Sequence, residues 1–145
     1  MWFQMLLGHL VGDYLLQNEY LAINKSKKTL KGWLTALIHC LIYTFAVCLF
    51  MWNAQLIWIL AVFCSHFFID KFALGEKYMK YVKGSGLRDY IDDVNHTYTR
   101  TWMDDSEGQR MLTGGFRAFV YAVTDNTMHL VLMYIAYNLI YYGKI

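Results

Sequence analysis

Apolar residues dominate four stretches of the chain, at residues 1–23, 33–52, 56–74 and 116–142. Each stretch is about long enough to cross a hydrocarbon core of roughly 30 Å at 1.5 Å per helical residue. The first is the weakest, because Gln17, Asn18 and Glu19 interrupt it near its end. The pattern predicts an all-α protein in which residues 1–145 form a single transmembrane domain, a four-helix transmembrane bundle.

Basic residues are concentrated in two of the three connections between these stretches. The connection after the first stretch holds Lys25, Lys27, Lys28 and Lys31, and the long segment 75–115 is also rich in lysine and arginine, whereas the turn at 53–55 carries no charge. Basic residues favour the cytoplasmic side of a membrane. We therefore expect both termini outside, with one extended cytoplasmic loop, residues 75–115, between helices 3 and 4. The expected location is the bacterial inner (cytoplasmic) membrane, crossed several times.

Composition supports a membrane setting over a soluble one. Apolar residue types make up 57% of the 145 residues and aromatic types 18%, and there is no proline. A soluble helical protein that buries this surface in its core is the alternative, and the hydropathy pattern disfavours it. Membrane lipid is the expected partner; no nucleic acid is expected, and a homo-oligomer is left open.

Ionisable residues recur inside the apolar stretches as histidine–aspartate pairs. Such residues are rare in transmembrane helices and are functional by default. Each pair is spaced i, i+4, so its two side chains project from one helical face, one turn apart. The pairs are His9 with Asp13, His66 with Asp70, and Asp125 with His129, and the second stretch adds His39 with Thr35 and Tyr43 at the same spacing.

The order within the pairs places like residues in layers. Helices 1 and 3 run outside to inside and have histidine before aspartate, whereas helix 4 runs the other way and has Asp125 before His129. Antiparallel packing therefore brings the three aspartates together near the cytoplasm, with their histidines one turn deeper. His39 lies eight residues beyond Lys31, or roughly 12 Å in at 1.5 Å per residue. The seven side chains are predicted to share one pocket.

A divalent metal is the interpretation we favour for this pocket. Each aspartate near mid-membrane costs roughly 2.5–3.5 kcal/mol on insertion scales and needs a partner. The spans hold no matching set of lysine or arginine, whereas carboxylates and imidazoles together suit zinc, manganese or iron. The predicted ligands for one or two ions are His9, Asp13, His39, His66, Asp70, Asp125 and His129. A structural network of Asp–His hydrogen bonds and a proton or ion pathway are the alternatives.

Two glycines beside the first pair have a packing interpretation. Gly8 and Gly12 form a Gly-x-x-x-Gly step, which permits close approach of a neighbouring helix.

Four motifs resemble an uncharacterised family of bacterial and phage membrane proteins, the domain of unknown function 3307. They are His9–Gln17 followed by Asn24-Lys25, Ala36–His39, Ser65–Asp70 and Asp125–His129. The family usually has glutamine where Asn126 stands, and the insertion at 75–115 is a larger departure. The resemblance covers all four spans and implies a fold but no activity. More distantly, the arrangement is similar to small membrane-bound metal-dependent hydrolases.

The leading hypothesis is a metal-dependent hydrolase of a phosphate-bearing or lipid-like substrate, with its site open to the cytoplasm. An aspartate left uncoordinated, out of Asp13, Asp70 and Asp125, is the expected general base. Gln17, Asn24 and Lys25 near the mouth are the expected contacts to an anionic small molecule or lipid. The alternatives are a proton- or metal-ion carrier or channel, and a non-catalytic phage membrane factor that binds a host protein through residues 75–115.

Overall fold

The computed structural model describes the backbone of residues 1–83 and 105–143 and the side chains of residues 1–82 and 115–143. Regular structure within those ranges is helical, without strands, which confirms the all-α prediction. The elements are α1 (Trp2–Leu10), a π-helical turn (Val11–Leu15), α2 (Glu19–Asn24), α3 (Leu30–Met51), α4 (Leu56–Lys71), α5 (Leu74–Lys83) and α6 (Asp105–Tyr141).

One helix among these, α3, is long and apolar enough to cross a membrane. Its 22 residues contain an 18-residue window of mean hydropathy 2.1. The number of candidate membrane spans rises to two if α4 and α5 are counted together as one broken span. A four-helix transmembrane bundle with both termini outside stays a prediction.

The first apolar stretch is divided rather than continuous. After α1 the backbone widens into the π-helical turn, closed by a hydrogen bond from Leu16 N to Val11 O, and α2 then begins after Asn18. The Asn18 side chain accepts a hydrogen bond from Leu21 N at 2.9 Å, and Glu19 occupies the first turn. The side-chain cap and the acidic first turn both stabilise a helix start. The polar residues that weaken the first predicted span therefore begin a new helix.

The chain divides into two compact units, residues 1–73 with 128–145, and residues 74–127. In the first unit, α1, α3, α4 and the last part of α6 pack around a core of buried apolar side chains. The core consists of Met5, Tyr43, Val47, Trp58, Val62 and Met133. This unit carries His9, His39, His66 and His129.

The second unit contains the long insertion predicted at 75–115. The insertion begins in α5 and ends in α6, and within the unit the Thr124 hydroxyl donates a hydrogen bond to Met79 Sδ at 3.8 Å. Residues 84–104, which hold the middle of the insertion, lie outside the described part of the chain.

Two glycines let α1 and the π-helical turn approach α3 closely, which confirms the packing interpretation of the Gly-x-x-x-Gly step. A Cβ added at Gly8 would lie 2.8 Å from Val47 Cα, and one added at Gly12 would lie 2.8 Å from Tyr43 Cδ2. The first contact is to backbone, which cannot rotate away. The close packing therefore requires glycine, which has no Cβ, at both positions.

We expect Gly8→Ala to destabilise the protein by about 1–3 kcal/mol, because the added methyl group overpacks the α1–α3 contact. Thermal unfolding in detergent measures the change. Gly115→Ala is the matched control, since a Cβ there would meet nothing within 4 Å. Equal unfolding midpoints for the two variants would show that the α1–α3 approach is looser than described.

Candidate metal centre

Four helices of the first unit carry the buried polar residues. His9 lies on α1 with Asp13 on the π-helical turn, His39 on α3, His66 and Asp70 on α4, and His129 on α6. The four histidines and Asp70 are 0–5% exposed. Because the surrounding helices bury these groups from water, each must be satisfied within the protein or by a bound ion.

Four atoms from three of these elements converge on one point. His39 Nε2 lies 3.1 Å from Asp13 Oδ1 and 3.0 Å from Asp70 Oδ2. His66 Nε2 lies 3.4 Å and 3.2 Å from the same two oxygens. The two Nε2 atoms are 2.9 Å apart. Asp13, His39, His66 and Asp70 thus form a group whose ligand atoms all lie within 4.8 Å of one another and could hold a metal ion.

The spacing of the group fits a small divalent cation. Zinc binds nitrogen at about 2.0–2.1 Å and carboxylate oxygen at about 2.0–2.2 Å, so the edges of a tetrahedron around it measure about 3.3–3.4 Å. The five distances above, between 2.9 and 3.4 Å, are equal to those edges or a few tenths shorter. Small outward shifts of the side chains would seat an ion. A donor set of two imidazoles and two carboxylates also suits manganese and iron.

The short contact between His39 and His66 also indicates a bound cation or a shared proton at the centre of the group. Two imidazole lone pairs cannot face each other at 2.9 Å without repulsion, so one Nε2 must carry a proton when no cation lies between them. A cation at that point would replace the proton and accept both lone pairs. His39 Nδ1 is buried and makes no hydrogen bond within the described part of the chain.

His9 and His129 lie behind the four-atom group, on the far side of its two carboxylates. His9 Nδ1 lies 3.6 Å from Asp13 Oδ2, and His129 Nε2 lies 3.4 Å from Asp70 Oδ1. His129 Nδ1 also lies 3.0 Å from His66 Nδ1. Each carboxylate therefore directs one oxygen to the group and the other to an outer imidazole. Outer contacts of this kind orient metal ligands and tune their basicity.

Tyr43 is a site residue that the sequence analysis noted only as a neighbour of His39. Its ring stacks on the His66 ring, with centroids 3.5 Å apart and planes 10° apart. Its hydroxyl lies 3.0 Å from His9 Nδ1. The i, i+4 spacing from His39 was the signal, since it placed the phenol on the same face of α3.

Asp125 belongs to the second unit. It lies beside Gly75 in that unit, since a Cβ added at Gly75 would be 2.5 Å from Asp125 Oδ1. Its inclusion among the metal ligands stays a prediction.

Lys25 forms an ion pair with the carboxylate of Asp70. Its Nζ lies 2.6 Å from Asp70 Oδ2 and donates a hydrogen bond to Gln17 Oε1 at 3.0 Å. The predicted spans hold no matching set of lysine or arginine to neutralise the aspartates, and this ammonium comes from the connection after α2. Asn24, the third expected substrate contact, makes local bonds to Tyr20 O and Lys27 Nζ.

Lys71 binds the backbone of the connection between α2 and α3. Its ammonium donates hydrogen bonds to Lys27 O at 2.7 Å and Lys25 O at 3.4 Å. It also lies 4.3 Å from the centroid of the Trp33 ring. This residue anchors the segment from which Lys25 reaches Asp70.

A family model described as a protein of unknown function, DUF3307, matches residues 1–144. Neither the curated proteins nor the solved structures contain a match.

Proposed function

Since this chain belongs to the DUF3307 family, whose function is unknown, we propose its function from the site: it is an integral membrane, metal-dependent hydrolase. The observation that carries the proposal is the convergence of four ligand atoms from Asp13, His39, His66 and Asp70. The proposed substrate class is a phosphate-bearing or lipid-like ester that enters from the cytoplasmic side of the bacterial inner membrane.

The distribution of polarity in the first unit supports a membrane setting. Along α3 the buried face carries His39 and Tyr43, whereas the exposed face carries large apolar side chains. These are Leu37, Leu41, Phe45 and Leu49, which are 41–68% exposed. An apolar surface of this extent favours contact with lipid or another protein, and polar residues turned inward are typical of membrane bundles.

The chemistry proposed for the site is ester hydrolysis. When bound, a divalent ion supplies a Lewis acid that polarises the substrate and activates water. The carboxylate oxygen of Asp13 or Asp70 that lies outside the four-atom group takes one proton of the attacking water as general base. The water oxygen forms the new bond to phosphorus or carbon as the ester bond breaks, and the leaving oxygen receives the proton that the aspartate took from the water. The outer imidazoles of His9 and His129 lie against the second oxygen of each carboxylate and can hold the transferred proton.

Packing beyond the histidines supports an enzyme over the carrier or channel. Met5, Val47, Trp58, Val62 and Met133 are at most 1% exposed and fill the core next to Tyr43. A conduit would need polar groups along this region. The phage-factor alternative depends on residues 75–115, most of whose side chains fall outside the described ranges, and it stays a prediction. A second ion also stays a prediction.

We expect protein purified in detergent from washed membranes to contain about one zinc, manganese or iron ion per chain and to hydrolyse a chromogenic phosphate ester. Chelation should abolish hydrolysis, and a saturating ion at a hundred times its Kd should stabilise the fold by about 2.7 kcal/mol. Elemental analysis, hydrolysis rate and thermal unfolding check the three parts. Full hydrolysis by metal-free protein, or recovery of the protein from the soluble fraction alone, would contradict the proposal.

A further inference from the structure

The shortest ion-pair contact to Asp70 Oδ2 in the candidate metal centre comes from Lys25 rather than from a histidine. Its ammonium lies 2.6 Å from Asp70 Oδ2, closer than either imidazole nitrogen at 3.0 and 3.2 Å. This oxygen is one of the four converging atoms. Lys25 therefore occupies part of the space around Asp70 that a metal ion would share.

An ion in the centre and an ammonium on Asp70 would lie close together. With the ion about 2.1 Å from Asp70 Oδ2 and Lys25 Nζ 2.6 Å from it on the same oxygen, the two positive charges are less than about 5 Å apart. Like charges at this distance repel strongly in a buried setting. Lys25 must then withdraw, or an anion must join the site.

Charge counting gives the same result. With neutral imidazoles, Asp13, Asp70 and Lys25 sum to −1, and a divalent ion changes the sum to +1. An anionic ligand cancels that charge. The lysine has room to turn toward such a ligand, because its side chain is 17% exposed whereas that of Asp70 is 2% exposed.

The backbone around Lys25 is held independently of its side chain. Lys71 donates hydrogen bonds to the carbonyl groups of Lys25 and Lys27, and the Asn18 cap holds the start of α2. The Lys25 side chain can therefore change partner without loss of the connection, and Gln17 Oε1 already offers it a second one at 3.0 Å.

Resting on the proposed function, we infer that Lys25 is an internal cation that metal displaces from Asp70, and that the released ammonium then binds the anionic group of the substrate. Metal and anion binding are thereby ordered: the site takes a phosphate-type oxyanion after the ion and not before it. Lys25 both restrains metal affinity and determines specificity for an anion.

Lys25→Met tests this inference, with Lys28→Met as the matched control. Lys28 lies in the same connection, is exposed, and has no contact to the centre among the residues described. The detergent-purified full chain is titrated with Zn²⁺, and then with inorganic phosphate in the presence and absence of Zn²⁺. Thermal unfolding of each variant confirms that it is folded.

We expect Lys25→Met to bind Zn²⁺ at least about tenfold more tightly than the wild type, since the competing ammonium is gone. We expect phosphate to bind the wild type and Lys28→Met only when Zn²⁺ is present, and to bind Lys25→Met at least tenfold more weakly. Equal Zn²⁺ and phosphate affinities in Lys25→Met and Lys28→Met would overturn the inference alone. Failure of the wild type to bind Zn²⁺, Mn²⁺ or Fe²⁺ would overturn the proposed function as well.

Discussion

His66→Ala will lower the affinity of the protein for Zn²⁺ by more than about a hundredfold, whereas His129→Ala will lower it by only about 10–100-fold, the usual effect of an outer contact. His66 directs Nε2 into the four-atom group, whereas His129 contacts His66 and Asp70 from outside it. Competition with a chromogenic chelator measures both affinities. The difference between the two variants is the informative quantity.

The two histidines are well matched as a pair. Both are buried, at 1% and 2% exposed, so each substitution leaves a similar cavity. Thermal unfolding of the metal-free variants measures that shared cost separately from metal binding. If His129→Ala lost as much affinity as His66→Ala, then His129 would be a direct ligand and the inner and outer assignment would be wrong.

Asp70→Asn will destabilise the metal-free protein by about 3 kcal/mol, because it leaves the Lys25 ammonium without its carboxylate. We expect the low end of the range for broken buried pairs, since the Lys25 side chain retains 17% exposure and can turn toward water. Denaturant unfolding in detergent with a chelator present measures the change without a contribution from metal.

The double variant Asp70→Asn with Lys25→Met separates the ion pair from the other contacts of Asp70. We expect it to recover most of the lost stability, because no buried charge is then left unpaired. Recovery of less than about 1 kcal/mol would show that Asp70 acts on stability through His39, His66 and His129 instead. Neither variant is expected to hydrolyse an ester.

Much of the candidate site follows from spacing alone. The i, i+4 repeats at His9, His66 and Asp125 put paired side chains on one face because the α-helix has 3.6 residues per turn. Antiparallel order then predicts which ends meet. Asp13, His39, His66 and Asp70 come together in the structure.

The inner and outer assignment of the histidines could not be predicted in the same way. His9 and His129 have the same spacing to an aspartate as His66 does, yet they lie behind the carboxylates. The π-helical turn at Val11–Leu15 changes the direction of Asp13 relative to His9, and no local residue preference indicates such a turn. The side-chain conformation adopted among the packed helices decides which nitrogen faces the centre.

By itself, then, the sequence determined the helical class, the apolar stretches and the set of residues able to bind a cation, because these depend on local periodicity and residue chemistry. Tertiary structure decided that Lys25 reaches Asp70, that Lys71 holds the connection, and that Tyr43 stacks on His66. These contacts join residues 23 to 45 positions apart. They depend on how the helices pack, which no pattern within one helix records.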